Sequence, residues 1–171
     1  PDFKSWNLNS DYWIDFDMNP VDFNHPIWVL FSSGTTGKPK AITHGTGGIL
    51  IEQYKSLSLH QNISNEDRFF WNTTTGWMMW NYALGSLLCG AKLCLYDGAA
   101  NFPEIGVQWR FAKEAKINHF GNGSPLFIAS MKQNTKDVNE TALKNLKTIG
   151  ATGSPLSVDA FLWLQSKLPK T

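Results

Sequence analysis

Short apolar runs alternate with helical patterns from residue 27 onward, and this alternation limits the fold more than any other feature. The runs at 27–31, 41–44, 67–71, 91–96, 117–120 and 147–152 are rich in bulky and β-branched residues, as strands are. Between them, apolar residues recur at three- and four-residue spacing over 45–59 and again up to about Cys89. Further helices are predicted from Pro103, from Ser124 and Pro125, and from Ser157. Strands separated by helices predict an α/β fold, a mostly parallel, doubly wound sheet flanked by helices.

Local signals add detail to that frame. Ile27, Trp28, Val29, Leu30 and Phe31 show no polar alternation and read as a buried core strand. Gly90 ends the preceding helix, because glycine adopts the left-handed turn that closes helices. Ile105, Trp109 and Ala112 mark the inner face of the helix after Pro103, and Val158, Phe161, Leu162 and Leu168 that of the last helix. Residues 1–20 are turn-rich and are read as a peripheral segment, with one domain over 21–171.

Composition removes several classes of function. The chain has 171 residues, enough for one core, with 42% hydrophobic and 17% charged residues. Its net charge is +1 and its lysines are scattered, so no basic stripe for nucleic acid or an anionic membrane is visible. No apolar run approaches membrane-spanning length. The opening residues resemble no signal peptide and lack methionine, so a segment cut from a longer cytoplasmic protein is expected. Cys89 and Cys94 sit among leucines and read as buried, reduced thiols, and no cysteine pairs suggest zinc. His25, His44, Asp97 and His119 are read as structural, and no metal site is predicted within the chain.

The stretch after the first strand has a different character. Ser32, Ser33, Gly34, Thr35, Thr36, Gly37, Lys38, Pro39 and Lys40 combine four hydroxyls, two glycines and two lysines. Glycines let backbone N–H groups turn inward, and the hydroxyls and ammonium groups add donors and charge, which suits an anion. Only two residues separate Gly34 from Gly37, so this is no Walker A loop, and Pro39 directs the chain onward in an extended conformation. In doubly wound sheets ligands bind beyond the carboxyl ends of strands. Polar or glycine-rich stretches stand at four such ends: 32–40, 72–77, 121–124 and 150–155.

The run from Ser33 to Lys40 resembles the phosphate loop of adenylate-forming enzymes. Three further stretches sharpen the likeness: Phe23-Asn24-His25-Pro26-Ile27-Trp28, Asp67-Arg68-Phe69-Phe70-Trp71, and Thr73-Thr74-Thr75-Gly76-Trp77-Met78-Met79-Trp80-Asn81. In order and content they are similar to the acetoacetyl-CoA synthetase branch, and the likeness covers nearly everything from residue 21. It implies a partial AMP-binding domain of an acetoacetate–CoA ligase that uses ATP, Mg2+ and CoA as substrates. The resemblance assigns the phosphates to Ser32, Ser33, Gly34, Thr35, Thr36, Gly37 and Lys40. Adenine would meet Gly153, Ser154 and Pro155, and a short acyl group would meet Trp77, Met78 and Met79. Gly123 and Ser124 would border the CoA channel.

Relatives place a Tyr/Ser-Gly-x-Thr-Glu segment for magnesium, a ribose-binding aspartate and a catalytic lysine further on. None of these occurs by Thr171, so the partner expected is the remainder of the same enzyme, and the segment alone is expected to be inactive. Two other readings stay open here. One is an acetate or propionate ligase differing only in the acyl pocket; the other is a non-catalytic nucleotide-binding module.

Overall fold

A computed structural model describes residues 19–32 and 37–169, and the chain divides into two compact units, 1–49 and 50–171. In the first unit β1 (Pro26–Ser32) and β2 (Lys40–Gly45) form a two-stranded antiparallel hairpin in which Ser32 faces Lys40. Trp28 Nε1 donates to His44 Nδ1 at 2.8 Å, tying the strands side chain to side chain. Thr46 donates to the His25 carbonyl through both its N–H and its hydroxyl, at 2.8 and 2.7 Å. These bonds give His44 and the His25 backbone structural tasks. The buried-strand reading of 27–31 does not hold: Val29 and Phe31 are exposed, Phe31 to 70%. A strand with one partner in a two-stranded ribbon has two faces, and among the described residues of its unit no layer covers both.

The second unit carries the sheet predicted from the alternation. Four parallel strands, β3 (Arg68–Trp71), β4 (Lys92–Cys94), β5 (His119–Gly123) and β6 (Thr148–Thr152), stand in the order β4-β3-β5-β6. Successive strand side chains point to opposite faces, so the neighbours Phe69 and Phe70 serve different cores. Phe70 and Phe120 pack with Trp109, Phe127 and Leu164 from α3 (Val107–Glu114), α4 (Ser124–Lys132) and α5 (Val158–Lys167). Phe69 packs with Leu57, Ile63, Ala83 and Ala91, on the side of α2 (Met78–Gly85). Helices therefore cover both faces, as a doubly wound sheet requires.

The helix over 46–60 begins as α1 (Thr46–Tyr54) and continues as a π-helical turn, Lys55–His60. After α2 a 3-10 turn, Ser86–Cys89, closes at Gly90 with φ of 75°, the left-handed conformation expected there. Ser157 caps α5 by accepting from the Ala160 N–H at 3.3 Å. Other local readings need correction. Pro103 follows a cis peptide bond within a turn, and α3 starts only at Val107. Ala160 and Leu164 form the buried face of α5, whereas Val158, Phe161 and Leu162 are exposed. Cys89 and Cys94 are free, and burial pushes both thiols up, which keeps them protonated near neutrality.

A charged cluster pins the amino ends of three strands. Asp67 is 1% exposed and accepts from Lys147 Nζ at 2.7 Å, from the Ser64 N–H at 2.9 Å and from the Ser64 hydroxyl at 3.1 Å. His119 Nε2 stands 3.5 Å from the same carboxylate, and its Nδ1 bonds the Thr148 hydroxyl at 2.6 Å. Burial raises the Asp67 carboxyl, but Lys147 and Ser64 outweigh it and hold the group below its ordinary 3.8. Burial lowers His119 below its ordinary 6.5, and the attraction of Asp67 only partly offsets this.

Both shifts act in the same direction. Native His119 refuses a proton that the unfolded chain accepts, so its contribution is full above 6.5 and declines as pH falls through that value. Asp67 adds a second loss below 3.8. The thermal midpoint should therefore fall between about pH 7 and pH 5, and His119→Gln should remove that part of the slope. A flat midpoint across this interval in the unsubstituted protein would mean that His119 titrates as in an unfolded chain.

Candidate functional site

The carboxyl ends of β3, β5 and β6 come together in the second unit, and hydrogen bonds join the three loops that leave them. Asn72, just past β3, donates its backbone N–H to the Gly121 carbonyl at 2.9 Å, extending the ladder. Its side chain enters a ring of three amides. Asn72 Nδ2 donates to Asn122 Oδ1 at 3.4 Å, Asn122 Nδ2 to Gln108 Oε1 at 2.7 Å, and Gln108 Nε2 to Asn72 Oδ1 at 2.9 Å. Asn122 Oδ1 also accepts from the Gly123 N–H at 2.8 Å. Next to it, the Ser124 hydroxyl donates to the Ser154 carbonyl at 2.6 Å, reaching the loop after β6.

Close packing sets the height of this rim. Trp71 lies across β5 and β6 where both strands have glycine, and a Cβ on Gly121 or Gly150 would overlap its indole. Phe69 stacks on Trp71 with ring centroids 6.2 Å apart, and Tyr82 meets Trp71 edge-on at 5.7 Å. Only residues without a side chain let β5 and β6 pass under the indole.

The predicted ligand residues fall into two groups. Trp77 caps the start of α2 in extended conformation; it and Met78 are exposed, while Met79 turns into the interior. Gly76 has open space where a side chain would stand. Gly153 has φ of 84° and open space around it, and Ser154 and Pro155 are exposed beside it. Gly123 is half-buried, at the N-cap of α4, and its Cβ position meets nothing closer than 3.5 Å. Ser124 opens α4, as predicted, with Gly123 at the N-cap; it is fully buried, and its hydroxyl is taken by Ser154.

In the first unit, the arms of the predicted phosphate loop are the ends of β1 and β2. Ser32 pairs with Lys40 in the hairpin register, and the chain leaves Pro39 extended into β2, as proline there predicts. Gly37 has open space around it and Lys40 is exposed. Ser33, Gly34, Thr35 and Thr36 lie outside the described residues, as does most of the 1–20 segment. Among the described residues, no group of three or more His, Cys, Asp or Glu side chains is placed to hold a metal ion. No helix among them is long and apolar enough to cross a membrane.

Gln108 was not singled out in the sequence, and Asn122 only as part of the stretch 121–124. The available signal was a glutamine on the inner face of an amphipathic helix, next to the wholly buried Trp109. A cavity of about 270 Å³ between β6 and α5, lined by Ile149, Leu156, Leu164 and Leu168 among others, includes none of the predicted ligand residues.

Comparison with known proteins matches this arrangement. The sequence profile described as "AMP-binding enzyme" covers residues 3–171. Acetoacetyl-CoA synthetase of Danio rerio is 35% identical over 96% of this chain and 24% of its own length. Acetoacetyl-coenzyme A synthetase of Rhizobium meliloti is 37% identical over 89% of this chain and 24% of its own. The solved acetoacetyl-CoA synthetase from Streptomyces lividans superposes with a TM-score of 0.80 at 45% identity, over 85% of this chain and 23% of that one. The chain thus spans about a quarter of the length of these relatives. A parallel α/β sheet with glycine-rich loops at its carboxyl rim, matched by the profile over almost every residue, means that this chain belongs to the AMP-binding enzyme family.

Proposed function

We propose that this segment is part of an ATP-dependent acid–CoA ligase that activates acetoacetate. One carboxylate oxygen attacks the α-phosphorus of ATP, the bond from that phosphorus to the bridging oxygen breaks, and pyrophosphate leaves. The CoA sulfur then attacks the acyl carbon, AMP leaves with the bonding pair, and the thiol proton passes to solvent. Neither step needs a covalent enzyme intermediate, so positioning and electrostatic stabilisation carry the catalysis. The observation that carries this reading is the branch-specific likeness over almost the whole chain, at 35–45% identity in the relatives named above.

In this reading the backbone of Gly34 and Gly37, the hydroxyls of Thr35 and Thr36 and the Lys40 ammonium steady the phosphates as pyrophosphate departs, with Ser32 and Ser33 behind them. Gly153, Ser154 and Pro155 offer a flat, open surface for adenine, which the positive φ of Gly153 and its empty Cβ position support. Trp77 and Met78 wall the acyl site, and Met79 supports them from the interior. Gly123 borders the CoA arm, with Ser124 holding the turn from below. Mg2+ enters as part of the ATP substrate. Residues 21–171 belong to the adenylation domain of a cytoplasmic enzyme, and the catalytic lysine comes from its remainder.

The test is isotope exchange between pyrophosphate and ATP, measured on the full-length protein that carries this segment. Exchange should require an acid and proceed without CoA, because the adenylate forms first. Trp77→Ala should widen the acid range, raising the efficiency with a six-carbon acid relative to acetoacetate by about tenfold, the value of one or two added methylenes of apolar contact. Exchange that needs CoA would exclude the adenylate route, and an unchanged acid preference in Trp77→Ala would remove Trp77 from the acyl wall.

A further inference from the structure

We propose that Gln108 is a positioning residue for the ligase reaction: through the closed amide ring with Asn72 and Asn122 it sets the acyl loop and the CoA-side turn together. The proposal rests on the ligase reading above, which places those two loops around substrate.

The ring has a property that a chain of hydrogen bonds lacks. Each of its three amides donates one N–H and accepts at its oxygen, so the orientation of any one dictates the other two. Gln108 is 0% exposed and Asn122 3%; among the described residues the Gln108 amide bonds within the ring alone, and the Asn122 oxygen also accepts from the Gly123 N–H. An amide left unpaired inside a protein is costly, so the three side chains hold one arrangement or lose all of it. Gln108 stands on the first turn of α3 and meets no solvent, which excludes direct contact with a substrate.

What the ring fixes is specific. Asn72 opens the loop that ends at Trp77, and Asn122 Oδ1 holds the Gly123 N–H at 2.8 Å, at the N-cap of α4. Backbone pairing of Asn72 with Gly121, one residue earlier, also joins the two segments. A fully satisfied buried polar network rigidifies the elements it joins and specifies one geometry. Here the geometry specified is the distance between the end of β3 and the start of α4.

The experiment compares Gln108→Met and Gln108→Glu with the unsubstituted full-length protein. Methionine keeps the volume and removes both hydrogen bonds. In Gln108→Met the KM for the acid, read by pyrophosphate exchange, and the KM for CoA, read by thioester formation, should rise together by about tenfold, with kcat changed less. A glutamate can donate to Asn72 and accept from Asn122 only when protonated, and burial raises its carboxyl. The KM defect of Gln108→Glu should therefore shrink as pH falls, and that of Gln108→Met should not. A role in stability alone would lower the thermal midpoint and leave both KM values at parental levels in the folded enzyme, and that result overturns the proposal. Should the Gln108 variants fail to fold, Asn72→Ser, at the half-buried member of the ring, must show the same paired rise or the proposal fails. Absence of acid-dependent exchange in the unsubstituted protein would instead reject the ligase reading, and the proposal with it.

Discussion

Gly121→Ala is expected to destabilise the protein by about 3 kcal/mol, the upper part of the range for overpacking a tight core. Gly121 is buried in β5, and the nearest atoms to an added methyl are ring carbons of Trp71. That indole cannot step aside easily, because Phe69 stacks on it and Tyr82 meets it edge-on. It also lies over Gly150 on the next strand, where a Cβ would stand 2.5 Å from its Cη2 carbon. The cause is therefore one contact, and a double-mutant cycle isolates it. In a Trp71→Leu background the same alanine should cost less than about 1 kcal/mol, since a shorter, flexible side chain leaves room for a methyl. Denaturant unfolding of the four proteins gives both numbers. Equal penalties in the two backgrounds would show that the indole does not set the spacing of β5.

Lys40→Ala should lower acid-dependent pyrophosphate exchange by about 10² to 10³-fold, the usual loss when one preorganised group facing a developing charge is removed. Lys40 opens β2 opposite Ser32, so the hairpin register sets its backbone where the loop between the two strands rejoins the ribbon. Charge that shifts onto the leaving pyrophosphate needs a partner already in place, and a fixed cation supplies one without reorganisation. Lys40→Arg keeps the charge but changes its shape, and should recover only part of the rate. The fold should be unaffected, because the side chain is exposed at a strand end. An exchange rate unchanged by Lys40→Ala would take the lysine out of the phosphate site.

The sequence revealed the sheet because each buried strand carries its own signal. Phe69, Phe70 and Phe120 stand in short apolar runs bounded by polar turns, and helices with a clear apolar face separate them. Gly90 and Ser157 were legible as helix punctuation because their roles depend on local backbone chemistry alone. Periodicity was less informative where cover mattered. It correctly groups Ile27, Val29 and Phe31 on one strand, and Val158, Phe161 and Leu162 on one helix, but it does not say whether another layer packs on them.

The candidate site divides in the same way. The loop at 32–40 announces itself by composition, since hydroxyls, glycines and lysines rarely crowd together in an ordinary turn. The amide ring announces nothing: a glutamine and two asparagines, each unremarkable alone, acquire meaning only once a helix, a strand and a loop bring them within hydrogen-bond distance. Ser124 shows the same limit. Before Pro125 it has the look of a helix cap, yet the nearby Ser154 carbonyl captures its hydroxyl across 30 residues of sequence.

The measurement that tests the central claim most directly is pyrophosphate release by the full-length protein with ATP, magnesium, CoA and a panel of short acids. Release should be strongest with acetoacetate and weaker with acetate and propionate. Release strongest with acetate or propionate would keep the adenylation chemistry but contradict the acetoacetate assignment, and silence with every acid would contradict the ligase function itself.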